Sequence, residues 1–262
     1  MSGRPLADVG GTPGAMAVFH DITAIREHEE DLTAFAGVVA HDLKAPLATI
    51  ASYADLTIEE IDERLPGPEG AEPRTSLARI IGAVDRAAHL IDDLLAYTTA
   101  RDAALNPRTV DLDAMVEQVV ADRTGHLRPG VPRPEISVGR LGRAHADPAM
   151  LRRVLDNLVG NALKYVPPGQ PAHIAINAAN GSSGSVRLDI ADRGIGIPDA
   201  DKAHVFETFH RAGAHVGYAG TGLGLAICRR IVERHGGGIS IADNPGGGTR
   251  FQVTLPGHGP TP

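Results

Sequence analysis

Between Thr23 and Leu65 the chain carries only two helix breakers, Gly37 and Pro46, whereas from Pro107 onward Gly and Pro interrupt it repeatedly. A breaker-poor stretch of that length buries its apolar side chains most simply as one long amphipathic helix. At about 100° per residue from Leu32, the positions Ala36, Val39, Leu43 and Ile50 share a stripe roughly 60° wide, with Pro46 and Tyr53 on its edge. A helix from about Ala24 to Leu65 would extend about 60 Å at roughly 1.5 Å per residue. PGPEGAEP, residues 66–73, breaks it, and a second amphipathic run follows. Leu77, Ile81, Val84, Ala88, Ile91 and Leu95 share one face of that run, with Thr75 or Ser76 as its cap. Two helices cannot cover both stripes, so the hairpin is expected to pair with a second copy in a four-helix bundle, as a homodimer.

From Asn106 the pattern is mixed. Strand candidates at Glu135 to Val138, His173 to Asn177, Val186 to Ala191, Gly238 to Ala242 and Arg250 to Leu255 stand among helix candidates at Leu112 to Asp122, Pro148 to Tyr165 and Leu223 to His235. They do not alternate one for one, so a mixed sheet covered on one face is expected rather than a doubly wound parallel sheet. The fold class is therefore α+β: a long helical hairpin over residues 24–105, then an α/β sandwich over residues 106–257, with a five-residue tail at 258–262. Residues 1–23 are too few for a domain.

Composition narrows the function. A net charge of −7 and only five Phe and four Tyr, with no Trp, argue against a nucleic-acid partner. Cys228 is the single cysteine, so a disulfide within the chain and a cysteine-based zinc site are both excluded. No apolar run approaches the roughly 18 residues that cross a bilayer, so no membrane insertion is expected within this chain and a cytoplasmic setting is.

Three glycine-containing segments lie in the second domain: DRGIGIP from Asp192, GTGLGLA from Gly220, and PGGGT from Pro245. GTGLGLA runs straight into a helix, so exposed amides and the positive end of that helix would face an anion, for which a phosphate is the natural guest. The spacing is neither a P-loop nor a dinucleotide fingerprint. In DNLVGNALKY, Asn157 and Asn161 are four apart and share a helix face, with Lys164 three residues further on. Neutral amide oxygens suit a magnesium ion that takes its other ligands from water and phosphate.

These motifs together resemble the transmitter portion of the bacterial sensor histidine kinases. AHDLKAPL is similar to their phosphoacceptor H box, DNLVGNALKY to the N box, DRGIGIP to the G1 box, FETFHR to the F box and GTGLGLA to the G2 box, in the family's order. The resemblance covers about residues 24–257 and implies a dimerisation and phosphotransfer hairpin followed by an ATP-binding domain of the Bergerat type, shared with DNA gyrase and MutL. It implies a Mg-ATP-dependent protein-histidine kinase whose phosphoryl group passes to an aspartate on a response regulator receiver domain. By the same resemblance, His41 is the phosphoacceptor with Asp42 as its orienting neighbour, Asn161 the magnesium ligand, and Asp192 the carboxylate that reads the adenine amino group. Asn157, Lys164 and Tyr165 would line the nucleotide site. Gly194 and Gly196 would admit the base, Gly220, Gly222, Leu223 and Gly224 would flank the phosphates, and Thr249 would support the base. Phe206, Phe209 and Arg211 would lead into a lid from His210 to Gly220. GAMAVFHDIT, residues 14–23, is similar to the end of a PAS sensory domain, which makes residues 1–23 the remnant of an input module and its linker.

His41 also lies about 180° from the apolar stripe, so it is expected on the outside of the bundle. Pro46 removes a hydrogen bond to Asp42, and a bend is expected there. Ala45 stands where many relatives that dephosphorylate their regulator carry Thr or Asn, so weak phosphatase activity is expected. The remaining histidines show no ligand spacing, and Asp92 and Asp93 read as a solvated face of the second helix. A non-catalytic phosphorelay scaffold is disfavoured by the presence of Asn161, Asp192 and all three G2 glycines.

Overall fold

The structure, a computed structural model, describes residues 3–5, 15–17, 23–102, 105–125, 132–181, 184–212, 218 and 220–257; the side chains of residues 3–38, His41 and residues 96–102 lie outside that description. Strand β1 (Gly3–Pro5) pairs antiparallel with β2 (Ala15–Ala17). Of the stretch at 14–23, residues 14 and 18–22 fall outside the described residues. Helix α1 (Thr23–Arg64) then runs unbroken through Pro46, and α2 (Ala71–Asp102) returns beside it.

The seam between α1 and α2 differs from the expected stripe. Ala40, Lys44, Leu47, Ala51, Ala54, Ile58 and Ile61 of α1, spaced alternately by four and three, are buried or half-buried. They meet the row Leu77, Ile81, Val84, Ala88, Ile91 and Leu95 of α2. Leu43 and Ile50, assigned to a single stripe by the sequence, are each 47% exposed and belong to a second row with Tyr53 and Leu56. The stripe read from the sequence is this second row; the seam lies about 70° round the helix and includes Ala40, Lys44, Ala51 and Ala54, small or charged side chains that a hydrophobic pattern does not register.

The break between the helices is also shorter than expected. A 3-10 turn (Pro68–Gly70) leads directly into α2, so Thr75 and Ser76 lie inside the helix rather than capping it. The Thr75 hydroxyl donates back to the Ala71 carbonyl at 2.8 Å. Pro73 sits in the first turn, where its missing N–H is not needed. Arg74 closes the turn, donating to the Leu65 carbonyl and pairing with Asp62.

Residues 103–107 connect α2 to β3 (Arg108–Asp111), which is followed by α3 (Leu112–Thr124), β4 (Glu135–Val138), β5 (Arg143–Ala146) and α4 (Pro148–Lys164). Then come β6 (His173–Asn180), β7 (Ser185–Asp192), the single turn α5 (Asp199–Lys202), α6 (Gly224–Arg234), β8 (Gly238–Asp243) and β9 (Thr249–Pro256). Five strands form one mixed sheet in the order β4-β6-β7-β9-β8, parallel only between β4 and β6, while β3 and β5 make a separate antiparallel pair. Ile174, Ile176, Leu188, Ile190, Phe251 and Val253 alternate inward from β6, β7 and β9 onto α4 and α6, the one-sided cover that the sequence predicts. Asp147 sets the start of α4 by accepting from the amides of Ala149 and Met150 at 3.0 and 3.2 Å, with Pro148 in the first helical position.

Candidate functional site

Between α4, the end of β7, the start of α6 and one face of α2 lies a cavity of about 1150 Å³. Asn157, Asn161, Lys164 and Tyr165 reach it from α4 and its C-cap. Asp192 and Gly196 reach it from the turn after β7, and Gly220, Gly222 and Gly224 from the start of α6. Arg211 and Thr249 also line it. Gly194 and Leu223 do not face it and stand just behind its wall.

Asp192 closes β7 and is only 7% exposed. Its Oδ1 accepts from the amides of Gly194 at 2.8 Å and Thr249 at 3.1 Å, so Thr249 contributes its backbone. Burial raises the Asp192 carboxyl above the ordinary aspartate range, against the lowering pull of those two amides. With Oδ1 committed to amides, Oδ2 is the acceptor left to face the cavity. Gly194 is required by space: a Cβ there would lie 2.1 Å from the Tyr165 carbonyl oxygen, which accepts from the amide of Ile195 at 3.0 Å. This turn is thereby fastened to the end of α4.

Around α4 the carboxamides divide their tasks. Asn157 donates to the Arg153 carbonyl at 3.0 Å, and its Oδ1 packs so closely on Gly224 that a Cβ there would come within 2.6 Å. Asn161, half-buried, makes no side-chain hydrogen bond to the described residues and keeps its oxygen for a ligand. Lys164 lies over the Tyr165 ring and donates to its hydroxyl at 2.9 Å, and its Nζ lies 2.9 Å from where a Cβ on Gly220 would stand. Tyr165 in turn meets Tyr218, which donates to the Val166 carbonyl at 2.7 Å. Arg211 donates to the Tyr218 carbonyl at 2.8 Å.

An unpartnered amide oxygen beside a lysine, at the opening of a helix, fits a magnesium ion held jointly with phosphates. Among the described residues no group of three or more His, Cys, Asp and Glu forms a cage that would hold a cation by itself. Phe209, from the F-box segment, has a positive φ of 62°, and its amide donates to the Gly222 carbonyl at 3.0 Å. Gly222 has φ 74°, and a Cβ there would strike the Phe209 backbone at 2.8 Å. Residues 213–217 and 219 of the expected lid lie outside the described residues.

His41 occupies α1, with its side chain outside the description, and Asp42 beside it is exposed. Among the described residues the hairpin wall of the cavity comes from α2. Here the solvated face expected at Asp92 and Asp93 is corrected. Lys44 of α1 pairs with Asp92, and Asp93 accepts from Arg153 at 3.2 Å and from the Thr221 hydroxyl at 2.7 Å. The sequence carries no periodic signal for these contacts, because Thr221 and Asp93 are 128 residues apart.

Comparison with known proteins agrees with this geometry. Residues 31–103 match the His Kinase A (phospho-acceptor) domain, and residues 146–259 match the family described as histidine kinase-, DNA gyrase B-, and HSP90-like ATPase. The chain is 32% identical over 249 residues to the signal transduction histidine-protein kinase/phosphatase MprB of Mycobacterium sp. (strain KMS), a match covering 92% of this chain and 46% of that protein. It is 32% identical over 232 residues to the sensor protein KdpD of Escherichia coli (strain K12), covering 88% of this chain and 25% of that protein. The chain thus spans less than half the length of these curated relatives. The crystal structure of full-length ShkA in complex with AMPPNP superposes with a TM-score of 0.62 at 25% identity, covering 85% of this chain and 45% of that one.

Proposed function

Because this chain belongs to the sensor histidine kinases, we propose that it transfers the γ-phosphoryl group of Mg-ATP to His41 and from there to an aspartate of a response regulator receiver domain. The observation that carries this reading is Asp192, a buried carboxylate with one oxygen held by two amides and the other turned to a cavity that ends at a helix N-terminus. That oxygen would accept from the adenine amino group, leaving the phosphates to reach Lys164, Asn161 and the turn from Gly220 to Gly224.

Asn161 and phosphate oxygens would hold the magnesium ion, which supplies charge neutralisation along the triphosphate. The chain itself supplies position: Lys164 and the amides at the start of α6 fix the phosphates, and the ATPase domain brings them to the hairpin. A neutral His41 ring nitrogen attacks the γ-phosphorus. The N–P bond forms as the bond to the β,γ-bridging oxygen breaks, and the electron pair leaves on ADP. The proton on the other ring nitrogen passes to an acceptor, the role we assign to Asp42. A carboxylate of the regulator then attacks the phosphohistidine and the N–P bond breaks.

The test is incubation of the purified chain with γ-labelled ATP. Acid-labile, base-stable label on the wild type, absent from His41→Gln, is expected, with the affinity of the variant for Mg-ATP unchanged. Label that persists on His41→Gln would overturn the acceptor assignment. The homodimer, the cytoplasmic setting and the PAS-like character of residues 14–23 belong to the same proposal.

A further inference from the structure

The polar contacts between the hairpin and the ATPase domain converge on one carboxylate. Helix α2 packs on α6, and at that junction Asp93, whose side chain is 21% exposed, receives the Arg153 guanidinium on Oδ1 at 3.2 Å and the Thr221 hydroxyl on Oδ2 at 2.7 Å. Arg153 also donates to the Asp92 carbonyl at 3.0 Å, so both partners of Asp93 belong to the ATPase domain and both grip the same turn of α2. Thr221 lies inside the glycine turn, and its hydroxyl oxygen accepts from the amide of Leu223 at 3.3 Å. Leu223 caps α6, so this bond ties Thr221 to the first turn of the helix, whose remaining amides would face a phosphate.

The hydroxyl proton is therefore committed to Asp93, and the hydroxyl oxygen to the leading amide of the helix. A carboxylate from the hairpin thus draws on the same turn that a triphosphate needs. Arg153 lies one helical turn before Asn157, on the cavity wall, and its guanidinium is likewise committed to α2.

We propose that Asp93 is an intramolecular competitor of nucleotide phosphate for the Gly220–Gly224 turn, so that docking of the ATPase domain on α2 and binding of Mg-ATP oppose each other through Thr221. The inference rests on the reading of the cavity as a nucleotide site. Linkage is reciprocal: if docking weakens nucleotide binding by some factor, nucleotide weakens docking by the same factor. ATP thereby loosens the domain that must carry its γ-phosphoryl group to a histidine.

The experiment uses the full chain and a non-hydrolysable ATP analogue with magnesium. Calorimetry on Asp93→Asn and Asp93→Ala is expected to give affinities about 5- to 50-fold tighter than wild type, within the usual range of coupling between sites. Small-angle X-ray scattering is expected to show the wild type expanding on addition of the analogue, and Asp93→Asn already expanded without it. Asp85→Asn removes one negative charge from the same wall of the cavity without touching Thr221 or Arg153, and is expected to change affinity less than about twofold. If Asp85→Asn tightens binding as much as Asp93→Asn, general charge is the cause and the competition is overturned. Identical affinities for wild type and both Asp93 variants would overturn the competition alone. Absence of nucleotide binding in wild type and variants alike would overturn the nucleotide reading with it.

Discussion

At the residue scale the site is built from groups whose partners decide what they can do. Asp192→Asn would keep an oxygen for the amides of Gly194 and Thr249 but turn an N–H toward the adenine amine, setting donor against donor. We expect adenine nucleotide affinity to fall about 10- to 100-fold by calorimetry, while thermal stability at pH 8 holds or rises because a buried charge is gone. The pH dependence has a definite sign. Asp192 has its carboxyl raised when folded, so the native state binds this proton more readily than the unfolded chain does; its contribution to stability is full at pH below the ordinary aspartate value and is lost as pH rises through the raised value. Nucleotide affinity should move the opposite way, falling as acid protonates the acceptor. Asn161→Ala, which deletes the free carboxamide oxygen, should lower magnesium-dependent nucleotide binding by at least about tenfold and leave magnesium-free binding unchanged. Ala45, exposed one turn beyond His41, offers a methyl where a water would need a polar anchor. Ala45→Thr is therefore expected to accelerate loss of phosphate from a phospho-regulator, and rapid loss with the unaltered chain would show the water is held elsewhere. Asn157, Asn161 and Asp192 were legible in the sequence because short helical or glycine spacings marked them. Arg153, Thr221 and Asp93 were not, because their meeting depends on contacts across 60 and 128 residues.

At the scale of elements, periodicity located the five strands of the main sheet and every long helix but α2 to within three residues at each end; α2 begins at Ala71, ahead of the cap expected at Thr75 or Ser76. It missed β3 and β5: Val110 is the one buried side chain of β3, and Ala144 and Ala146 of β5 are too small to register as an apolar face. It also took the exposed second row of α1 for the packed one. The junction of F box and G2 box was beyond its reach, since Phe209 and Gly222 carry positive φ for the sake of each other's backbone. Gly222→Ala would place a methyl at φ 74° and 2.8 Å from the Phe209 carbonyl carbon. We expect a loss of at least about 2 kcal/mol in denaturant unfolding, together with weaker nucleotide binding, because the turn at the start of α6 cannot keep its shape. Unchanged unfolding would show that the two segments part without cost.

At the scale of the whole molecule, the seam between α1 and α2 leaves Leu43, Ile50 and Leu56 of one helix and Ile80, Leu90 and Leu94 of the other between 41% and 58% exposed. Except for Leu90, which lines the cavity, these side chains would be covered in the proposed homodimer by the matching rows of a second hairpin. Ile50→Glu is expected to turn a dimer into a monomer in sedimentation at micromolar concentration, with the nucleotide site intact; a monomeric unaltered chain would refute the layout. Hydrophobic patterning carries the expectation of a partner, but not that α2 would also serve as a wall of the cavity, since that role is played largely by polar residues without a period. The connection from Asp102 to Arg108 has five intervening residues, which span at most about 20 Å even when drawn out fully. Each ATPase domain is thus on a leash, and under the proposed function the histidines it meets would be those of its own assembly, at an effective concentration near the millimolar range. Phosphorylation should accordingly be first order in protein and indifferent to dilution until the assembly itself dissociates, so that the chain would spend its ATP on its own hairpins however many other acceptors the solution holds.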